Sequence, residues 1–209
     1  MKIEELFREV EGIKTIEMLQ KQFNVDRARA IYIIYRLRKR GYVKTIYGAG
    51  KIRTYIISLR NKQGGKSYTD VINEASPIQL ASSNPYYVHG RIPSCEEALI
   101  YAIKQKDIRY LIASLALFRK IAHWSFLYTL AKKEDLVNEI VALYDVSRRV
   151  VKKVKRIPRR FLNQAERKKT KHFKYIIKPF SSDDFRDLEK KWRVYIPLNL
   201  ADLEDYKND

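Results

Sequence analysis

At 209 residues and 24.8 kDa the chain has room for one large domain or two small ones. Its 43 Lys and Arg against 24 Asp and Glu leave a net charge of +19 and a sequence pI near 9.9, which implies a polyanionic partner such as DNA, RNA or an acidic surface. The single cysteine, Cys95, excludes an internal disulfide and a zinc site of the usual Cys/His spacing, and no apolar run nears the roughly 20 residues of a membrane span, so the expectation is a soluble cytoplasmic protein with no membrane partner.

Ile3, Leu6, Phe7 and Val10 recur at i, i+3, i+4 and i+7, which predicts a helix over residues 2–10 ended by Gly12. Thr15 is placed to cap a second helix with Ile16, Leu19 and Phe23 on its apolar side, closed by Asn24. Asp26 then caps a third, in which Ala30, Ile33, Ile34 and Leu37 share one face while Arg27, Arg29, Tyr32 and Arg36 look outward. Gly41 suits the left-handed exit of that helix. A strand over residues 42–47, a Gly48-Ala49-Gly50 tip and a returning strand over 51–57 complete a hairpin.

Three helices and a hairpin, with the stretch Leu37-Arg38-Lys39-Arg40-Gly41-Tyr42-Val43 at the junction, resemble the winged helix-turn-helix domains of prokaryotic transcription regulators over about the first 60 residues. The resemblance implies a recognition helix in the major groove of double-stranded DNA and a wing on the backbone. The candidate DNA-binding residues are Arg27, Arg29, Tyr32, Arg36, Arg38, Lys39 and Arg40 on the helix, with Lys51 and Arg53 on the wing. Arg29, Tyr32 and Arg36 have the i, i+3, i+7 spacing that reaches base edges, and the other cations are expected on phosphates. Many members of that family carry Ser and Thr near the helix start, where this chain has Arg and Tyr.

Residues 61–93, with Gly64-Gly65 and Ser82-Ser83-Asn84-Pro85, read as a linker holding a short helix near Asp70–Ala75. Ser94 and Glu97 form a capping box for a helix that buries Ala98, Leu99, Ala102 and Ile103. The next helix starts near Asp107 and runs towards Trp124. A long one follows from Glu134 or Asp135 to Ile157, with Pro158 at its end, so residues 94–165 are expected to form a helical bundle for dimerisation or partner binding. Residues 166–209 are expected to form a basic segment and C-terminal extension, with Ser181 capping a helix, residues 192–198 forming a strand or arm, and a frayed end. The fold class expected is mainly α with a small β-hairpin wing: an N-terminal winged helix-turn-helix plus a C-terminal helical domain.

The densest charge lies from Arg148 to Lys178, where Glu166 is the only acid. Arg148, Arg149, Lys152, Lys153, Arg156, Arg159, Arg160, Lys168, Lys169 and Lys171 form a second candidate patch, with Phe161, Phe173, Tyr175 and Phe180 interleaved as in surfaces that stack on unpaired bases. This leaves three readings: a sequence-specific duplex-DNA regulator, expected as a homodimer; an RNA- or single-strand-binding protein; and an antitoxin-like module that meets an acidic protein partner. No catalytic or cofactor site is expected. His89, His123 and His172 lack carboxylates at metal-ligand spacing, and Gly64-Gly65-Lys66-Ser67 lacks the first glycine of a phosphate-binding loop.

Overall fold

A computed structural model of the chain describes residues 10–47, 52–58, 65–81, 86–89, 91–169 and 171–206. The chain divides into two units, Met1–Lys66 with Tyr87–Ile92 and Ser67–Tyr86 with Pro93–Asp209. Among the described residues the architecture is mainly helical with small sheets.

The first unit contains β1 (Gly12–Lys14), α1 (Ile16–Phe23), α2 (Arg27–Lys39), β2 (Val43–Tyr47) and β3 (Arg53–Ile57). The Thr15 hydroxyl accepts the Met18 N–H at 3.3 Å to start α1, and Asn24 closes it with φ of 48°. The Asp26 carboxylate accepts the Arg29 N–H at 2.6 Å to start α2. Caps of this kind each contribute about 1 kcal/mol. Ala30, Ile33, Ile34 and Leu37 are buried, as their spacing predicts, in a core with Val10, Leu19, Val43, Tyr55 and Ile57.

The exit of α2 is a Schellman turn. The Gly41 N–H bonds to Arg38 O at 2.9 Å and the Tyr42 N–H to Leu37 O at 3.1 Å, with Gly41 at φ of 84°. The chain then enters β2, which pairs antiparallel with β3 from Val43↔Ile57 to Tyr47↔Arg53. One strand was not expected: β1 pairs with the other edge of β3, Gly12 opposite Ile57, giving the order β1-β3-β2. Three residues are too few to show alternation, and Ile13 is 63% exposed, so no burial pattern marks the strand. The first predicted helix, Val10 apart, and the hairpin tip with Lys51 lie outside the described residues.

The second unit is a larger helical body: α3 (Tyr68–Asn73), α4 (Cys95–Gln105), α5 (Ile108–Ser114), a 3-10 turn (Leu115–Arg119), α6 (Trp124–Lys133), α7 (Val137–Val150), α8 (Arg159–Arg167) and α9 (Arg186–Trp192). A parallel pair of two-residue strands, Lys174–Tyr175 and Val194–Tyr195, and a terminal 3-10 helix, Leu200–Tyr206, complete it. The Ser94/Glu97 capping box forms as expected, and Asp107 caps α5 by accepting the Arg109 N–H at 2.7 Å.

Several segments differ from the sequence reading. Within the stretch read as a linker, the short helix expected near Asp70–Ala75 is α3, opened by a Ser67/Asp70 capping box, and Val71, Ile72 and Leu80 are buried in the core of this unit. The helix after Asp107 does not reach Trp124 but tightens into the 3-10 turn at Leu115. Helix α7 stops at Val150 instead of running to Pro158, because residues 151–157 make other bonds: Lys155 N–H to Phe118 O at 3.3 Å and Ile157 N–H to the Tyr144 hydroxyl at 3.1 Å. Pro158 precedes α8 as its extended N-cap residue rather than ending a helix. Ser182, not Ser181, accepts the Phe185 N–H at 3.2 Å ahead of α9.

The C-terminal stretch is packed, not frayed, through residue 206. Trp192, Val194, Ile196, Leu198, Leu203 and Tyr206 are core residues. The Tyr206 hydroxyl donates to Ile112 O at 2.8 Å, and the Glu189 carboxylate accepts the Ser182 and Ile196 N–H groups at 3.0 and 2.7 Å.

Candidate nucleic-acid interface

The outward side of α2 is an assembled surface, not a row of independent side chains. The guanidinium groups of Arg29 and Arg36 lie over the Tyr32 ring at 5.5 and 5.7 Å from its centroid, and Arg36 Nη1 donates to the Tyr32 hydroxyl at 2.9 Å. Tyr32 is 45% exposed although its side chain contacts both arginines. The aromatic ring thus limits the rotamers of two cations at i−3 and i+4, which lowers the entropy cost of presenting them together.

The remaining candidates of the first unit have diverse surroundings. Arg27 pairs with Glu17 at 3.3 Å, an exposed ion pair of little energetic weight. Arg38 is half-buried and turned towards the hairpin, donating to Thr45 Oγ1 at 2.9 Å and lying over Tyr55. Lys39 and Arg40 are exposed at the C-terminal end of α2, where positive charge complements the helix dipole. Arg53 is exposed and its guanidinium lies over the Tyr47 ring, 5.9 Å from its centroid, on the hairpin.

A second flank of α2 was missed in the sequence. Arg27, Ile31, Tyr35 and Arg38, at i, i+4, i+8 and i+11, line a groove of about 500 Å³ whose other wall is Ile52, Arg53 and Tyr55 of the hairpin. Ile31, Tyr35 and Ile52 are 48, 55 and 59% exposed. The stripe has helical spacing and was legible. What concealed it was the hairpin wall, which only the fold brings opposite.

In the second unit the basic residues divide by what they touch. Arg149 is bound to Asp187, Nη1 to Oδ1 at 3.1 Å, and lies over Phe185. Lys155 donates to Ile121 O at 3.0 Å, and Lys169 sits over Trp192 at 5.0 Å. Arg148, Lys152, Lys153, Arg156, Arg159, Arg160 and Lys171 are exposed, and Lys168 is half-buried at the end of α8. The interleaved aromatics mostly serve packing: Phe161 is 4% exposed, while Phe173 and Tyr175 stack on Tyr195 at 4.9 and 4.3 Å. Phe180 alone of the four is widely exposed, at 49%.

Two buried carboxylates belong to this unit. Glu96 Oε1 accepts the Ala122 and His123 N–H groups at 3.0 and 2.8 Å, so a side chain of α4 caps α6, which lacks a side-chain cap at His123. Burial pushes the Glu96 carboxyl up, yet the N–H bonds outweigh it and hold the group below its ordinary 4.5. Glu139 has the opposite environment: burial is the dominant influence and raises its carboxyl above 4.5, and its Oε2 has no hydrogen-bond partner.

Among the described residues no group of three or more His, Cys, Asp or Glu is arranged to hold a metal ion, and no helix is long and apolar enough to cross a membrane. His89 lies against Gly41, and His123 gives its backbone N–H to Glu96. Comparison of the chain with protein-family models, curated proteins and solved structures finds no match.

Proposed function

We propose that the protein is a sequence-specific, double-stranded DNA-binding transcription regulator. In this reading the first unit is a winged helix-turn-helix domain with α2 as recognition helix in the major groove and the β2–β3 hairpin as a wing on the adjacent backbone. The observation that carries it is the Arg29/Tyr32/Arg36 stripe, clamped on one side of a helix whose other side is sealed into the core. Arginine side chains of limited freedom suit bidentate contacts to guanine in a groove that admits one helix. Arg53 on the hairpin, with Lys39 and Arg40 at the helix end, supplies phosphate contacts that fix register without reading sequence.

The second unit serves as the dimerisation or partner domain, and a homodimer would read two related half-sites. Selection of bound fragments from random duplex DNA by the full-length protein tests the proposal. Recovery of a defined motif, with a footprint on it, is the expected result. Equal binding of all duplexes without a footprint overturns sequence-specific regulation.

A further inference from the structure

Helices α6 and α8 of the second unit enclose a slot of about 330 Å³ that the proposed reading of the first unit does not use. Three aromatic rings build it. Tyr128 and Phe161 meet edge to face at 5.3 Å, and Trp124 meets Phe161 in the same way at 6.2 Å. Trp124 and Tyr128 are only half-buried, so their rings remain partly open to the slot. Its rim is polar: Ser125, Thr129 and Gln164 line it, and the Tyr128 hydroxyl donates to Gln164 Oε1 at 3.4 Å, a bond in which the amide nitrogen of Gln164 takes no part.

The one charged side chain among the residues that line the slot is a cation. Arg160 lines it, and Arg159 and Arg160 occupy the first turn of α8, which has no acidic residue and no side-chain cap. Two cations at the positive end of a helix are unfavourable unless an anion joins them. Arg156 precedes the slot in sequence and Arg167 lies one turn beyond Gln164 on α8, both exposed.

We propose that this slot receives an unpaired base of a single-stranded nucleic acid, with the adjoining phosphates held by Arg159 and Arg160. A slot lined by aromatic rings with a hydrogen-bonding rim matches a base, and the arginines match the negatively charged backbone it hangs from. A base within a duplex is stacked and paired, so it cannot enter without being flipped out. RNA and single-stranded DNA share this chemistry and differ at the 2′-hydroxyl.

The test uses the full-length protein and labelled pyrimidine strands of about twelve nucleotides, as RNA and as DNA, against an abasic strand of the same length at constant salt. The abasic strand has the same phosphates, so contacts elsewhere on the protein contribute equally to both. Binding about tenfold tighter with bases than without is expected. Ser125→Trp, at an exposed position, fills the slot without removing a core contact and should abolish that ratio; Arg160→Ala should weaken both strands. A preference between the RNA and DNA strands identifies which one supplies the base. Equal affinity for base-bearing and abasic strands, or a ratio unchanged in Ser125→Trp, overturns the proposal.

Discussion

The imidazole of His89 fills the space that a side chain at Gly41 would need: a Cβ there would lie 2.6 Å from His89 Nδ1 and Cε1. Gly41 also holds φ at 84° in the exit turn of α2. Gly41→Ala is therefore opposed twice, by backbone strain and by the ring, and should destabilise the protein by about 1–3 kcal/mol in urea unfolding. Adding His89→Ala should return only the steric part. Full recovery in the double variant would mean the left-handed backbone costs nothing.

If α2 reads bases, Arg29→Ala and Arg36→Ala should each cost about 1–3 kcal/mol of duplex affinity and relax preference at one base position. Arg53→Ala should instead weaken all sequences alike and lower the salt dependence by about one counterion. Tyr32→Phe keeps the ring near the two guanidiniums but removes the acceptor for Arg36. It should therefore resemble a partial Arg36 loss. Binding titrations on the selected motif and on single-base variants measure these effects, and identical behaviour of the two classes would show that the recognition face is misassigned.

Glu96 and Glu139 should give opposite pH signatures. The Glu96 carboxyl is held below 4.5 in the folded protein, so its contribution is present above that value and is lost as the pH falls through the depressed folded value. Glu96→Gln should cost about 1–3 kcal/mol at neutral pH and flatten the acid limb of the stability curve. The raised Glu139 group favours folding below 4.5, and that advantage is lost as the pH climbs through its higher folded value. Glu139→Gln should thus be better tolerated at neutral than at acid pH. Urea midpoints across the acid range decide both.

The C-terminal 3-10 helix should matter to stability. Tyr206 is fully buried and its hydroxyl reaches Ile112 O and, at 3.3 Å, Ser76 Oγ. Tyr206→Phe should cost about 1 kcal/mol and Tyr206→Ala about 3–5 kcal/mol by thermal or urea unfolding. A wild-type melting temperature after removal of residues 200–209 would contradict this.

What the sequence disclosed was local chemistry. Thr15, Asp26, Ser94 and Asp107 cap helices that begin within a residue or two of them, and Gly41 marks an exit whose hydrogen bonds span only five residues. The buried face of α2 and its Arg29/Tyr32/Arg36 stripe follow from the helical repeat. Long-range packing was hidden. The spacing of Val150, Val154 and Ile157 mimics a helix, but the bonds of this stretch go to Phe118 and Tyr144. Phe161 read as a surface aromatic because its neighbours are arginines, whereas it closes the core against Trp124 and Tyr128. The slot joins residues 36 positions apart, Tyr128 and Gln164, a separation no periodic pattern reports.

The division of the chain also bears on its synthesis. The first unit includes Tyr87–Ile92, whereas Ser67–Tyr86 belongs to the second. A nascent polypeptide that has emerged only as far as Lys66 lacks the segment carrying His89, so the first unit cannot be finished before part of the second has left the ribosome. The chain passes between the units three times, so one proteolytic nick after Lys66 releases residues 1–66 while Tyr87–Ile92 stays on the other fragment. Removing residues 1–66 strands Tyr87–Ile92 without the body it completes, and point substitutions in the intact chain are the cleaner way to separate the contributions of the two units.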